Sequence, residues 1–125
     1  MSEKETASKA GVIQIERHGD IAIITPASEV ESMSWELMPM AAEIVLAPLK
    51  KEPASGVIMD LGRVSFFGSM FLSLLLRCHT LVKQQGGEMV VCCVSNQALE
   101  LLRLTNLDTL WALYNTREEA IEALS

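Results

Sequence analysis

Aromatic residues are scarce in this chain: two Trp, one Tyr and three Phe in 125 residues leave little material for the stacking platforms that hold single-stranded nucleic acid. Basic residues are also few. The ten Lys and Arg are scattered from Lys4 to Arg117 against sixteen acidic residues, a formal charge of −6, which argues against phosphate-backbone binding and hence against nucleic acid as a partner. No apolar run reaches the roughly 20 residues that span a bilayer, so no membrane insertion is expected. Met1 to Lys9 is polar and lacks the apolar stretch of a secretory signal, which predicts a cytoplasmic protein. Three cysteines make an odd count, and Cys92 and Cys93 are adjacent within an apolar run, so a disulfide framework is not expected.

Also missing are a Walker-type phosphate loop, a Cys-x-x-Cys pair and a nucleophile elbow. No enzymatic constellation, metal set or cofactor motif remains. His79 has only Cys78 beside it, which points in a different direction on a helix, so His79 reads as structural. If Cys92 and Cys93 lie in a strand, their side chains point to opposite faces, which argues against a redox pair. Asp60 ends an apolar run as the acceptor of a phosphoaspartate receiver does, but the earlier runs end in Arg17 and Thr25 and supply no acidic pair for magnesium. Asp60 is therefore expected to serve as a surface or hydrogen-bonding group.

What the chain does contain is 50% hydrophobic residues, enough for one core in a single domain. Residues 1–10 are polar and aperiodic, a disordered tail; residues 11–125 carry the domain. Val12 to Arg17 and Ile21 to Thr25 are β-branched runs joined by His18-Gly19-Asp20, which predicts a hairpin. After the polar stretch Ser28 to Ser34, Trp35, Met38, Ala42, Val45 and Leu49 recur at helical spacing, with Pro39 near the start and Pro48, Pro53 and Gly56 at the exit. Val57 to Leu61 then reads as a buried strand.

A long helix is expected from Ser69, as N-cap, to Gln85, stopped by Gly86-Gly87 and feeding the core through Leu74, Leu75, Cys78 and Leu81. Met89 to Val94 forms the next strand. Ser95 caps a short helix through Leu99 and Leu102 that ends at Thr105-Asn106, and Leu110 to Tyr114 is a last strand. Thr116 and Glu119 form a capping box that opens a terminal helix. The order β-β-α-β-α-β-α-β-α predicts an α/β fold, a mixed, mostly parallel sheet with four packed helices.

The stretch VIMDLGRVSFFGSMFLSLLLRCHTLVKQQGG, from Val57 to Gly87, resembles the strand, loop and helix that mark the STAS family of anti-sigma-factor antagonist domains. Leu101 to Trp111 and Tyr114 to Leu124 are similar to the family's ending, a Leu-Thr-Gly-Leu-Asp segment, a short strand and a Glu-Glu-Ala helix. The resemblance implies binding to an anti-sigma factor that is also a serine kinase, blocked when a serine at the helix entrance carries phosphate. The family reads Asp-Ser-Ser-Gly there; this chain reads Gly68-Ser69-Met70-Phe71. Met70 stands at the acceptor position and a thioether takes no phosphoryl group. Gly68 replaces the carboxylate and Phe71 the glycine.

Ser69, with Ser65 four residues before it, is the candidate for a displaced acceptor. The expected contact face runs from residue 63 to 72, with Arg63, Phe66, Phe67, Gly68, Ser69, Met70 and Phe71 as its partner-binding residues; any ring of that run pointing outward beside Met70 is an apolar anchor. The resemblance equally admits a STAS scaffold, an assembly subunit of a stress-signalling or lipid-transport complex, and leaves homo-oligomers open.

Overall fold

The computed structural model describes residues 13–32, 36 and 38–125. The expected tail at residues 1–10, Val12 and Trp35 lie outside the described residues. The chain forms β1 (Ile13–His18), β2 (Ile21–Pro26), a 3-10 turn (Ser28–Ser32), α1 (Met38–Lys51), β3 (Gly56–Asp60), α2 (Ser69–Gln84), β4 (Glu88–Cys92), α3 (Asn96–Leu104), a second 3-10 turn (Leu107–Thr109), β5 (Leu113–Tyr114) and α4 (Arg117–Leu124).

Among the described residues the expected element order holds, with four helices and a five-stranded sheet of order β1-β2-β3-β4-β5. β1 and β2 pair antiparallel from Ile13↔Pro26 to His18↔Ile21, with Gly19 at φ +63° in the two-residue turn, a conformation that glycine adopts without Cβ strain. The remaining pairs are parallel. Every residue of β2 and β3 is buried, as expected of strands covered on both faces.

The two faces have separate cores. On one, α1, α2 and α3 cover Ala22, Ile24, Val57, Met59 and Val91, with Leu74, Leu75, Cys78 and Leu102 packed among them. Leu81, expected in the centre, is only partly buried at the margin of this cluster. On the other face, among the described residues, α4 brings Ala120 against Ile21, Ile23, Ile58, Val90 and Cys92.

The helix exit expected over Pro48, Pro53 and Gly56 is observed: α1 runs one turn past Pro48 and ends at Lys51, where the Glu52 amide reaches the Pro48 carbonyl (2.9 Å) and the Arg17 guanidinium donates to the carbonyls of Pro48 and Glu52 (3.3 and 2.6 Å). Two local expectations are corrected. Ser69 is not the N-cap of α2. Gly68 takes that place in extended conformation, Leu72 N–H donates to its carbonyl at 3.1 Å, and no side chain caps the helix. β4 stops at Cys92 rather than Val94, because Cys93 turns to φ +63°. The other end signals are observed: Gly86 is left-handed at φ +79°, Ser95 Oγ accepts from Ala98 N–H (3.1 Å), and Asn106 closes α3 at φ +62°.

Candidate functional site

The loop between β3 and α2 is held at both ends and in its middle. Asp60, the last residue of β3, accepts the Gly62 amide at 2.9 Å, an Asx-type turn that bends the chain off the sheet. Val64 is buried and its amide donates to Leu61. Ser65 is clamped from two distant segments: its amide donates to the Glu31 carboxylate (2.7 Å), and its carbonyl accepts the Ser95 hydroxyl.

That clamp decides where the next two rings go. Phe67 turns inward and meets Phe71 edge to face, centroids 5.3 Å apart, and both are buried. Phe66 turns outward and is 51% exposed. Phe67 and Phe71, expected among the contact residues, are thus buried in the core, Phe67 reaching the surface only as the floor of a groove. Arg63, Gly68 and Ser69 are exposed and Met70 is half-buried in the first turn of α2, so these four stay on the surface with Phe66.

Sequence reasoning missed the other half of this surface. Leu104, at the end of α3, is 76% exposed. Phe66 and Leu104 flank an open groove of about 320 Å³, completed by Phe67, Gln97, Glu100 and Leu101. The available signal was the apolar excess of Leu101-Leu102-Arg103-Leu104, more than one buried stripe can absorb. On the far side of Met70 a second groove runs between α1 and α2, lined by Met38, Ala42, Leu46 and Arg77 among others.

A different constellation sits at the carboxyl ends of the strands on the α4 face. Arg117, the first residue of α4, reaches Asp60 Oδ2 with Nε (2.9 Å), Thr25 Oγ1 with one terminal nitrogen (2.9 Å) and Glu16 with the other (3.2 Å), joining β1, β2 and β3 to α4. The side-chain bonds and charges of Asp60 and Glu16 hold the Arg117 guanidinium above its ordinary value against the opposing effect of burial. This is the hydrogen-bonding role expected of Asp60.

Cys92 lies directly across from Asp60 in the parallel register. The expectation that Cys92 and Cys93 face apart is overturned: the left-handed turn at Cys93 brings its Sγ to 3.4 Å from that of Cys92. Burial pushes both thiols up, as it does Cys78, which rises to about 12. All three are protonated near neutrality.

The family profile described as STAS domain matches residues 12–120. The chain is similar to the anti-sigma F factor antagonist of Paenibacillus polymyxa, 23% identical over 112 residues, spanning 90% of this chain and 93% of that protein. Among solved structures it is similar to an anti-sigma-factor antagonist (STAS) domain protein from Planctomyces limnophilus, at 29% identity and TM-score 0.78 over 90% of this chain and 97% of that one. An anti-sigma factor antagonist from Mycobacterium paratuberculosis has the same fold, at 20% identity and TM-score 0.75, over 90% of this chain and 92% of that one.

Proposed function

Because the chain belongs to the STAS domain family, we propose that it is a protein-binding regulator of the anti-sigma-factor-antagonist type, without catalysis of its own, working in the cytoplasm. Its partner is an anti-sigma factor of the serine-kinase kind, and the contact surface comprises Arg63, Phe66, Gly68, Ser69 and Met70 together with Leu104. The observation that carries this reading is Phe66, a ring half exposed on a loop clamped by Glu31 and Ser95. A pinned aromatic loses little freedom on docking, which is the behaviour of an interface anchor. Among the described residues no helix is long and apolar enough to cross a membrane.

The usual switch is absent from this surface. Phosphate at the mouth of a helix adds a charge of about −1.5 to −2 and disrupts a fitted contact, but Met70 offers no hydroxyl. Binding is then constitutive, regulated by abundance or by a competing partner. The test is incubation of the chain with its kinase partner and ATP, followed by intact-mass and fragment analysis. The unmodified mass with retained binding supports the reading; phosphate on Ser69 or Ser65 shows that the acceptor has moved.

The double variant Gly68→Asp with Met70→Ser probes the same point from the other side. A Cβ at Gly68 meets nothing within 4 Å, so a side chain can start from that position, and this pair should create an acceptor. Phe71 is left in place because its ring fills the core.

A further inference from the structure

We propose that Asp60, Cys92 and Cys93 form a binding site for a thiophilic divalent metal ion of the Zn²⁺ class at the carboxyl ends of β3 and β4. Two features of the chain converge there, and a third observation records the result. The parallel register sets Asp60 and Cys92 side by side on the face covered by α4. The turn at Cys93, left-handed at a residue with a Cβ, reverses the direction that a continuing strand would impose and aims the second thiol at the first. One ligand atom from each of the three residues lies within 4.8 Å of the other two.

Those separations are close to a coordination shell. Zinc bonds of about 2.3 Å to sulfur and about 2.0–2.2 Å to a carboxylate oxygen place tetrahedral ligand atoms roughly 3.5–3.8 Å apart, against the 3.4 Å between the two sulfurs here. Two sulfurs and one oxygen select a borderline-soft ion over Mg²⁺ or Ca²⁺, which require oxygen sets. The fourth position is left to water or an exogenous ligand, approached past Cys93, which is only half-buried, whereas Cys92 is fully buried.

Metal binding leaves the local charge unchanged. Without metal the two thiols are neutral, and Asp60 and Glu16 are both paired with Arg117. With metal, two thiols lose their protons to solvent and two sulfur–metal bonds form, so that the two thiolates offset the dication. Arg117 on Oδ2 and the Gly62 amide on Oδ1 fix the carboxylate in the orientation that a ligand needs, while each oxygen keeps a further lone pair. The location agrees with the general tendency of open α/β sheets to bind ligands beyond the carboxyl ends of their strands.

The experiment is titration of the reduced full chain with Co²⁺, read by thiolate-to-metal charge-transfer absorption in the near ultraviolet, followed by competition with Zn²⁺. One equivalent should bind, with a tetrahedral visible spectrum, and one equivalent of Zn²⁺ should displace it. Cys93→Ser should abolish the band while Cys78→Ala, which removes a buried thiol elsewhere, leaves it unchanged. X-ray absorption of the zinc-loaded wild-type chain reads the same point without a variant, as two sulfur scatterers at the bonded distance. Absence of a charge-transfer band at millimolar Co²⁺, its survival in a folded Cys93→Ser protein, or a shell of nitrogen and oxygen alone overturns the site.

Discussion

The indole N–H of Trp111 donates to Nδ1 of His79 at 3.0 Å, with the two rings edge to face at 5.9 Å. This bond fastens the segment before β5 to α2, and it requires the neutral imidazole, because a protonated Nδ1 is a donor and cannot accept. Burial, and then the charge of Lys83, lower the His79 pKa from its ordinary value. The folded chain therefore binds fewer protons than the unfolded chain in the window just below the ordinary His value of about 6.5, and stability falls as pH falls through it. Thermal melts between pH 7.5 and pH 5 should show His79→Gln less sensitive to acid than wild type over that window. Equal sensitivity would remove His79 as the cause.

Leu75 is fully buried between α2 and the sheet. Leu75→Ala should cost roughly 2–5 kcal/mol in denaturant unfolding, the range for large-to-small core substitutions. A wild-type midpoint would contradict the packing described for α2.

The capping box predicted at Thr116 is complete, with Thr116 Oγ1 accepting from Glu119 N–H (3.1 Å) and the Glu119 carboxylate accepting the Thr116 amide (3.1 Å). Thr116→Ala should cost about 1 kcal/mol as a lost N-cap with partner binding unchanged. Loss of binding at unchanged stability would put α4 in the interface.

Arg117→Met leaves the buried Asp60 carboxylate without its cation. The cost should be about 1–3 kcal/mol, that of an orphaned buried polar group, and Asp60→Asn in the Arg117→Met background should recover part of it. No recovery would mean that Arg117 acts through Thr25 and Glu16 instead.

Elements whose causes are local were legible in the sequence. The Gly19 turn, the Ser95 cap, the Gly86 and Asn106 stops and the Thr116 box each depend on residues within four positions of one another, and all are observed where expected. The same holds for the strand and helix order that made the family resemblance readable. What was not legible depends on contacts far apart in sequence. Which of Phe66 and Phe67 faces solvent follows from the hold of Glu31 and Ser95 on Ser65. Cys93 departs from strand geometry at a position with no glycine to announce it, and the partner of Asp60 lies 57 residues away. Of the expected contact residues, the polar and small ones stayed on the surface, whereas two of the three rings were claimed by the core.

The central claim, a constitutive protein-binding face anchored on Phe66, is tested most directly by capture from native lysate with the wild-type chain and with Phe66→Ala, each with and without ATP, read by mass spectrometry. The wild-type chain should capture a GHKL-type serine kinase with anti-sigma activity equally in both conditions, and Phe66→Ala, folded normally, should reduce that capture by about tenfold or more, as loss of an aromatic anchor does. Equal capture of that kinase by Phe66→Ala, release of it by ATP, or elution of the chain as a large homo-oligomer with no kinase bound would contradict the account.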